Sequence, residues 1–232
     1  MLIHEDKIYQ NNGNIPLLNL IKSKVTSILD VGCGAGNNAE ILKSLNPQVF
    51  IDGITYSNSE AVIAKNYIDN VWVYNLEEDI PQELSKKKFD VIIFSHILEH
   101  LKNPETIIRK LSSLLKPHGF VVIAVPNILS LRMRIEFLLG IFEYQETGIL
   151  DNTHLRFFTY YTADKYLLTE SHHLKVVYKG VSGSVPLWIL RRYLLSIKTC
   201  EKIDELGCKL FPNLFGTQIL LRLEQRNVHF TN

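Results

Sequence analysis

Two short segments of this chain carry residue types that bind ligands and move protons. Gly32-Cys33-Gly34-Ala35-Gly36 follows the first strand-like run, and His96-Ile97-Leu98-Glu99-His100 follows the fourth. Glycines at a strand-to-helix turn let the backbone come close to a ligand, and the next helix offers free N–H groups and a positive dipole end to a carboxylate or phosphate. A tight turn with no ligand uses the same residues. The dinucleotide fingerprint needs glycine at its first, third and sixth positions; the sixth here is Asn37, which disfavours a nicotinamide or flavin cofactor. His-x-x-Glu-His is the inverted zinc-protease motif, in which two histidines one helical turn apart hold zinc. Its context here is wrong, because the segment follows a strand.

A third histidine, His154, lies within Asp151-Asn152-Thr153-His154-Leu155-Arg156-Phe157-Phe158-Thr159. An imidazole of near-neutral pKa can take a proton from a hydroxyl; as a bland alternative, His154 closes an insertion over the sheet. Arg156 is placed to pair with Asp151 or with an anionic group of a substrate. Phe157, Phe158, Tyr160 and Tyr161 could wall a pocket, although an aromatic stripe more often belongs to a core. His172-His173 reads as a solvated helix end.

Positioning these groups requires a rigid frame, and the chain alternates between two kinds of pattern. Short β-branched, nearly continuous apolar runs over 27–31, 49–54, 71–74, 90–94 and 120–125 predict strands of a parallel sheet covered on both faces. Between them lie helical patterns over 36–45, 58–68 and 103–115. Ser57-Asn58-Ser59-Glu60 is a capping box, and Asn103-Pro104-Glu105 gives an N-cap, a first-turn proline and an acid at the positive end of the helix dipole. Such alternation predicts a doubly wound α/β sheet. After Val125 the rhythm breaks: an insertion over 126–160 with a helix over 130–139, a helix over 162–172, a strand over 174–180, a second insertion over 181–215, and a last strand over 217–224. The residues from Arg226 onward read as frayed, and Lys86 to Lys88 as a solvated turn.

At about 100–200 residues per domain, 232 residues predict one domain spanning 1–232. Lys plus Arg is 25 and Asp plus Glu is 24, so the net charge of +1 provides no field for coating a nucleic acid. Cys33, Cys200 and Cys208 are an odd number with no small-scaffold spacing and read as reduced thiols. No apolar stretch in the first ten residues is long enough for a signal peptide, and a cytoplasmic location is expected. The apolar run 187–197 is interrupted by Arg191 and Arg192, so no transmembrane helix is expected.

The order Ile28-Leu29-Asp30-Val31-Gly32-Cys33-Gly34-Ala35-Gly36, Gly53-Ile54-Thr55-Tyr56-Ser57, Asn75-Leu76-Glu77-Glu78, Phe89-Asp90-Val91-Ile92-Ile93, Leu98-Glu99-His100-Leu101 and Leu115-Lys116-Pro117-His118-Gly119 closely resembles the class I S-adenosylmethionine-dependent methyltransferases. The resemblance covers 25–126. It implies a doubly wound, seven-stranded Rossmann-like sheet with the last strand antiparallel and S-adenosylmethionine at the C-terminal edge of strands 1 to 4. On that basis Asp30, Gly32, Cys33 and Gly34 would line the methionine part of the cofactor, with Gly36 allowing close packing of the helix. Asn75 and Leu76 would meet the adenine, and Ser95 and His96 would lie near the sulfonium. Two positions depart from the family. Thr55 stands where an acid usually accepts both ribose hydroxyls, a loss of about 1.5–3 kcal/mol of charge-assisted bonding, and Asn75 replaces the usual Asp. Tyr56 is a substitute contact for the cofactor, whereas Asp52 belongs mid-strand.

Within the same resemblance, Leu98 to Leu101 is a packing signature with His100 capping a local turn. A second reading compares it with small-RNA 2′-O-methyltransferases and ubiquinone-pathway O-methyltransferases, whose Glu-x-x-Glu-His at this place binds a divalent ion. His96, Glu99, His100 and His154 would then hold a metal, and three imidazoles with one carboxylate suit zinc, iron or manganese better than magnesium. The segment around His154 resembles one found in bacterial methyltransferases linked to surface sugars and lipids. The implied reaction is O-methylation of a sugar, glycan precursor or other small hydroxylated acceptor, with His100 and His154 as catalytic candidates. Two alternatives are an RNA 2′-O-methyltransferase, which the neutral charge and lack of an RNA-binding module weaken, and a non-catalytic cofactor-binding partner protein. The insertions over 126–160 and 181–215 would form an acceptor-binding lid; the helix expected over 187–198, with Trp188, Arg191, Arg192, Tyr193 and Lys198, suits a lid or a peripheral membrane contact.

Overall fold

Strands that are apolar on both sides must be covered on both faces, and the sheet meets that requirement. The computed structural model describes residues 11–21 and 24–226. The first ten residues, read above for a leader, and the residues after Arg226, read above as frayed, lie outside the described residues. Seven strands, β1 (Ser27–Val31), β2 (Phe50–Thr55), β3 (Asn70–Val73), β4 (Phe89–Ser95), β5 (Leu115–Pro126), β6 (Leu174–Gly183) and β7 (Gly216–Gln225), form one sheet in the order 3-2-1-4-5-7-6. The pairs β3–β2, β2–β1, β1–β4 and β4–β5 are parallel, and β7 runs antiparallel between β5 and β6. This is the topology that the family resemblance implied.

Among the described residues ten α-helices accompany the strands: α1 (Ile15–Leu18), α2 (Asn37–Leu45), α3 (Asn58–Ala64), α4 (Gln82–Ser85), α5 (Pro104–Ser112), α6 (Leu131–Leu138), α7 (Ala163–Leu167), α8 (Trp188–Tyr193), α9 (Ile197–Leu210) and α10 (Pro212–Phe215). The period-2 alternation of the strands divides the core in two. Ile92, Phe94, Val121 and Ile123 pack with Ile107, Leu111 and Leu167 on one face, while Val91, Ile93, Val122 and Ala124 pack with Leu17, Ala39, Leu42 and Ala64 on the other. Among the described residues no helix is long and apolar enough to cross a membrane.

Several local readings hold and others do not. Ser57 Oγ accepts from Glu60 N at 3.2 Å, as a capping box requires. The helix expected over 187–198 breaks after Tyr193, and a new helix starts because Ser196 caps it by accepting from Thr199 N. α7 is shorter than the expected 162–172. The lysine run is not simply solvated: Lys87 Nζ lies 2.6 Å from the buried Asp52, which also accepts from Asn70 and Trp72. Asp52 is thus committed mid-strand, and its charge is compensated as burial demands.

Parallel strands direct their C-terminal ends to one edge, and antiparallel pairing brings the start of β7 there as well. Pro126 pairs with Gln218, and Gly183 with Gly216. Both insertions therefore spring from the edge where β1 and β4 end. At that edge Gly36 holds φ +88°, and a Cβ there would stand 3.2 Å from Ala64 Cα, so α2 and α3 approach only because the side chain is absent. Gly140, at φ +74°, has nothing within 4 Å of an added Cβ. Backbone strain alone costs about 1–3 kcal/mol for a side chain at such φ. Gly36→Ala is expected to lose about 1 kcal/mol more than Gly140→Ala in denaturant unfolding, because crowding adds to strain only at Gly36.

Candidate functional site

The turn after β1 forms the floor of a cavity of about 640 Å³ at the C-terminal edge, within the usual size range for cofactor sites. Gly32 and Gly34 hold φ of +75° and +53°, and both line the cavity together with Cys33. A Cβ at Gly32 would meet Ile97 at 2.7 Å, and one at Gly34 would stand 3.6 Å from Glu60 Oε1. The glycines keep this floor as bare backbone. Burial, then the charges of Asp30 and Glu60, push the Cys33 thiol well above the ordinary range.

Asp30, expected along the methionine part of the cofactor, does not line the cavity, and Gly36, placed among the cofactor-site residues for the close helix packing it allows, does not line it either. Asp30 is fully buried and neither carboxylate oxygen has a hydrogen-bond partner of ordinary geometry. Burial raises its pKa to about 7, and the nearby Asn38 amide offsets this only partly.

At the ends of β2 and β3, Thr55, Tyr56, Tyr74 and Leu76 line the cavity. Asn75 does not: its Oδ1 accepts from Glu77 N at 3.1 Å and its amide reaches Glu78, so it serves a local turn. The missing acid at Thr55 has a neighbour that the sequence pattern assigned only to capping. Thr55 Oγ1 donates to Glu60 Oε2 at 2.9 Å, and Glu60 also lines the cavity. A carboxylate is therefore present at this end of the cavity, supplied from the first turn of α3.

The segment after β4 turns sharply, with His96 in the left-handed region at φ 53° and Leu98–His100 in a 3-10 turn. The turn buries Glu99 and aims it at three imidazoles. Glu99 Oε1 lies 3.2 Å from His96 Nδ1 and 4.0 Å from His154 Nε2, while Oε2 is buried without a hydrogen-bond partner. The Glu99 backbone carbonyl accepts from Leu155 N at 2.8 Å and Arg156 N at 3.0 Å, fastening the first insertion to this turn. Burial works to raise the Glu99 pKa, but the hydrogen bond and charge of His96 and the charge of His100 hold it below the ordinary value. Burial likewise opposes charge on His96, yet its bonds to Glu99 and Gln218 raise its pKa.

Hydrogen-bond partners set the tautomers of the other two histidines. Thr153 Oγ1 donates to Asp151 Oδ1 at 2.6 Å, so it accepts from His100 Nδ1 at 2.9 Å. His154 Nδ1 donates to the Ile149 carbonyl at 3.0 Å. Each ring is left with an Nε2 lone pair, and the rings meet edge-on with centroids 4.7 Å apart. Burial lowers the His100 pKa first, which keeps this ring neutral. Ligand atoms of Glu99, His100 and His154 lie within 4.8 Å of one another and fit a cation; the orphaned Glu99 Oε2 is a further free donor. His96 stands outside that set because its two nitrogens are engaged by Glu99 and, at 2.9 Å, by Gln218 Oε1.

Asn14 and Gln218 are site residues that no motif announced. Their side-chain amides pair reciprocally, at 2.8 and 3.2 Å, and Asn14 also reaches Ser95 Oγ and, through its backbone N–H, Asn38 Oδ1. All four line the cavity. Their signal in sequence is nil, since 204 residues separate Asn14 from Gln218. Arg156 pairs with neither Asp151 nor a cavity wall; it donates to the Lys102 carbonyl. From the first insertion Pro126, Thr147, Gly148, Ile149, Asp151 and His154 line the cavity, and from 184–215 no described side chain does. Tyr160 and Tyr161 are absent from the lining, as are Phe157 and Phe158.

The methyltransferase-domain family matches residues 4–165. The chain is 33% identical over 129 residues to a ubiquinone biosynthesis O-methyltransferase of Rickettsia canadensis (strain McKiel), covering 55% of this chain and 53% of that protein. It is 30% identical over 106 residues to the protein of the same name from Bradyrhizobium diazoefficiens, covering 43% and 40%. The chain spans about half the length of the curated relatives it matches. Among solved structures it is similar to a SAM dependent methyltransferase from Archaeoglobus fulgidus, with TM-score 0.60, 22% identity and 91% of each chain covered. A second similar structure is the plantazolicin methyltransferase BpumL in complex with SAH, with TM-score 0.57, 19% identity and 91% and 80% covered. These likenesses show the fold.

The folded pKa of Asp30 lies near 7 against an ordinary 3.8, so between those values the folded chain holds a proton that the unfolded chain has lost. Stability then falls as pH rises through that window and levels off above it. Asp30→Asn is expected to flatten this slope and to gain up to about 4 kcal/mol at pH 8 relative to pH 4, read from denaturant unfolding at both.

Proposed function

Because this chain belongs to the methyltransferase-domain family, we propose that it transfers the methyl group of S-adenosylmethionine to an oxygen of a small hydroxylated acceptor. The observation that carries this reading is the pair of Nε2 lone pairs on His100 and His154, held in the wall of the cavity that the glycine turn floors. When bound, S-adenosylmethionine supplies an electrophilic methyl group on a cationic sulfur. The bare backbone of Gly32 and Gly34 suits a ligand that must lie close against the turn. Thr55 and Glu60 are the groups for ribose hydroxyls, and Tyr74 and Leu76 are the flat and apolar walls for a base. Ser95 and His96 close the floor at the end of β4.

A hydroxyl oxygen is a poor nucleophile until its proton leaves, so the acceptor must meet a base as well as the right orientation. His100 and His154 are poised for that task because Thr153 and the Ile149 carbonyl fix their Nδ1–H groups. The same lone pairs, with Glu99, would hold a divalent ion. Such an ion lowers the pKa of an oxygen it binds, and a mixed nitrogen and oxygen donor set suits zinc, iron or manganese. Asp151 acts one step away, through Thr153, as the group that orients His100.

Calorimetry of the pure protein with S-adenosylhomocysteine is expected to show binding at one site; no heat of binding overturns the reading. Glu60→Gln keeps the capping geometry but removes the charge, and is expected to weaken that binding about tenfold, about 1.4 kcal/mol. His154→Ala is expected to lower transfer of labelled methyl to a catechol or sugar hydroxyl about a hundredfold or more while leaving S-adenosylhomocysteine affinity unchanged. Elemental analysis of the wild type against His100→Ala separates the two uses of the lone pairs: ion content that falls with the substitution assigns them to a metal, and equal, near-zero contents assign them to proton transfer.

A further inference from the structure

Most of the large apolar side chains exposed among the described residues lie on the two insertions that rise from the cavity edge. On the second, Leu194 is 74% and Ile197 79% exposed, with Trp188 and Tyr193 beside them. On the first, the tip of α6 carries Leu138 at 87% exposure, followed by Phe142. Large exposed apolar side chains gathered on two hydrogen-bonded segments, rather than scattered singly over the fold, mark an interaction face. The expected lid function does not account for it, because no described side chain of 184–215 lines the cavity. The two insertions are one unit: Asn213, on α10, binds Asn127 and Arg134 through its carbonyl and Tyr160 N through its side chain.

The chemistry of the face selects its occupant. From 180 to 200 the sequence holds Arg191, Arg192 and Lys198 and no acidic residue. Arg191 is paired with Asp204, whereas Arg192 stacks on Tyr193 and no carboxylate among the described residues pairs with Arg192 or Lys198. A two-fold contact with a second copy would offer these cations no carboxylate from the same stretch. Aromatic rings and aliphatic side chains flanked by unpaired cations are the composition of a segment that lies in a lipid interface. Along the chain the same insertion leads to the cavity: five residues after Phe142, Thr147 begins the wall formed by Thr147, Gly148 and Ile149.

We propose that this edge docks on an anionic lipid surface, and that the acceptor is a hydroxylated amphiphile presented from that surface to the cavity. The second half of this proposal rests on the methyl-transfer reading above; the docking does not. The test is co-sedimentation of the full chain with phosphatidylcholine vesicles and with vesicles containing phosphatidylglycerol, alongside light scattering and S-adenosylhomocysteine calorimetry. Binding is expected to the phosphatidylglycerol vesicles. Arg192→Glu with Lys198→Glu, and separately Trp188→Ser with Leu194→Ser and Ile197→Ser, are expected to weaken it at least about tenfold, with S-adenosylhomocysteine affinity unchanged. Failure of the wild type to bind either vesicle overturns the docking, as does binding that neither set of substitutions weakens. A wild-type dimer that these substitutions dissociate overturns it in favour of a second copy. Vesicle binding with no S-adenosylhomocysteine binding supports the docking and overturns the methyl-transfer reading instead.

Discussion

A carboxylate taken out of water must be repaid by nearby charge and hydrogen bonds, or it will not stay ionised. Glu99 is such a group, 1% exposed, and the site is organised around it. His96 adopts a left-handed backbone to bring its ring to Glu99, and Gln218 holds the far side of that ring. The Glu99 carbonyl meanwhile anchors the first insertion, which delivers His154 and the Asp151–Thr153 pair to His100. One buried residue thus couples the end of β4, the insertion after β5 and the start of β7.

The parallel sheet makes that convergence possible. Its C-terminal edge gathers the turn after β1 and the ends of β2 and β4, and β7 returns to the same edge because it is antiparallel. The insertions occupy the remaining space in different ways. The first contributes a cavity wall; the second is joined to it through Asn213 but turns its apolar side chains outward. The added length therefore serves both the cavity and a surface of its own.

Much of the frame was legible because strands and caps are local. Continuous apolar runs located all seven strands within a few residues, and Ser57 and Asn103 marked helix starts where the structure has them. Misreadings arose where a side chain has two possible partners of similar chemistry. Asn75 satisfies its own turn rather than the cavity. Lys87 looks solvated in sequence but neutralises Asp52 across two strands. The break at 194–196 was hidden because an apolar run does not show that Ser196 begins a second helix.

The sequence by itself determined the strand order's ingredients, the glycine turn, the closeness of His96, Glu99 and His100, and the absence of a carboxylate at Thr55. Tertiary structure decided which distant groups complete them: Glu60 turning to Thr55, His154 approaching Glu99, and Asn14 meeting Gln218 across 204 residues. The physical reason is range. Backbone periodicity and capping act over a few residues and leave a signature in their spacing. A hydrogen bond between side chains far apart in the chain depends on where the packed sheet brings them, and it leaves none.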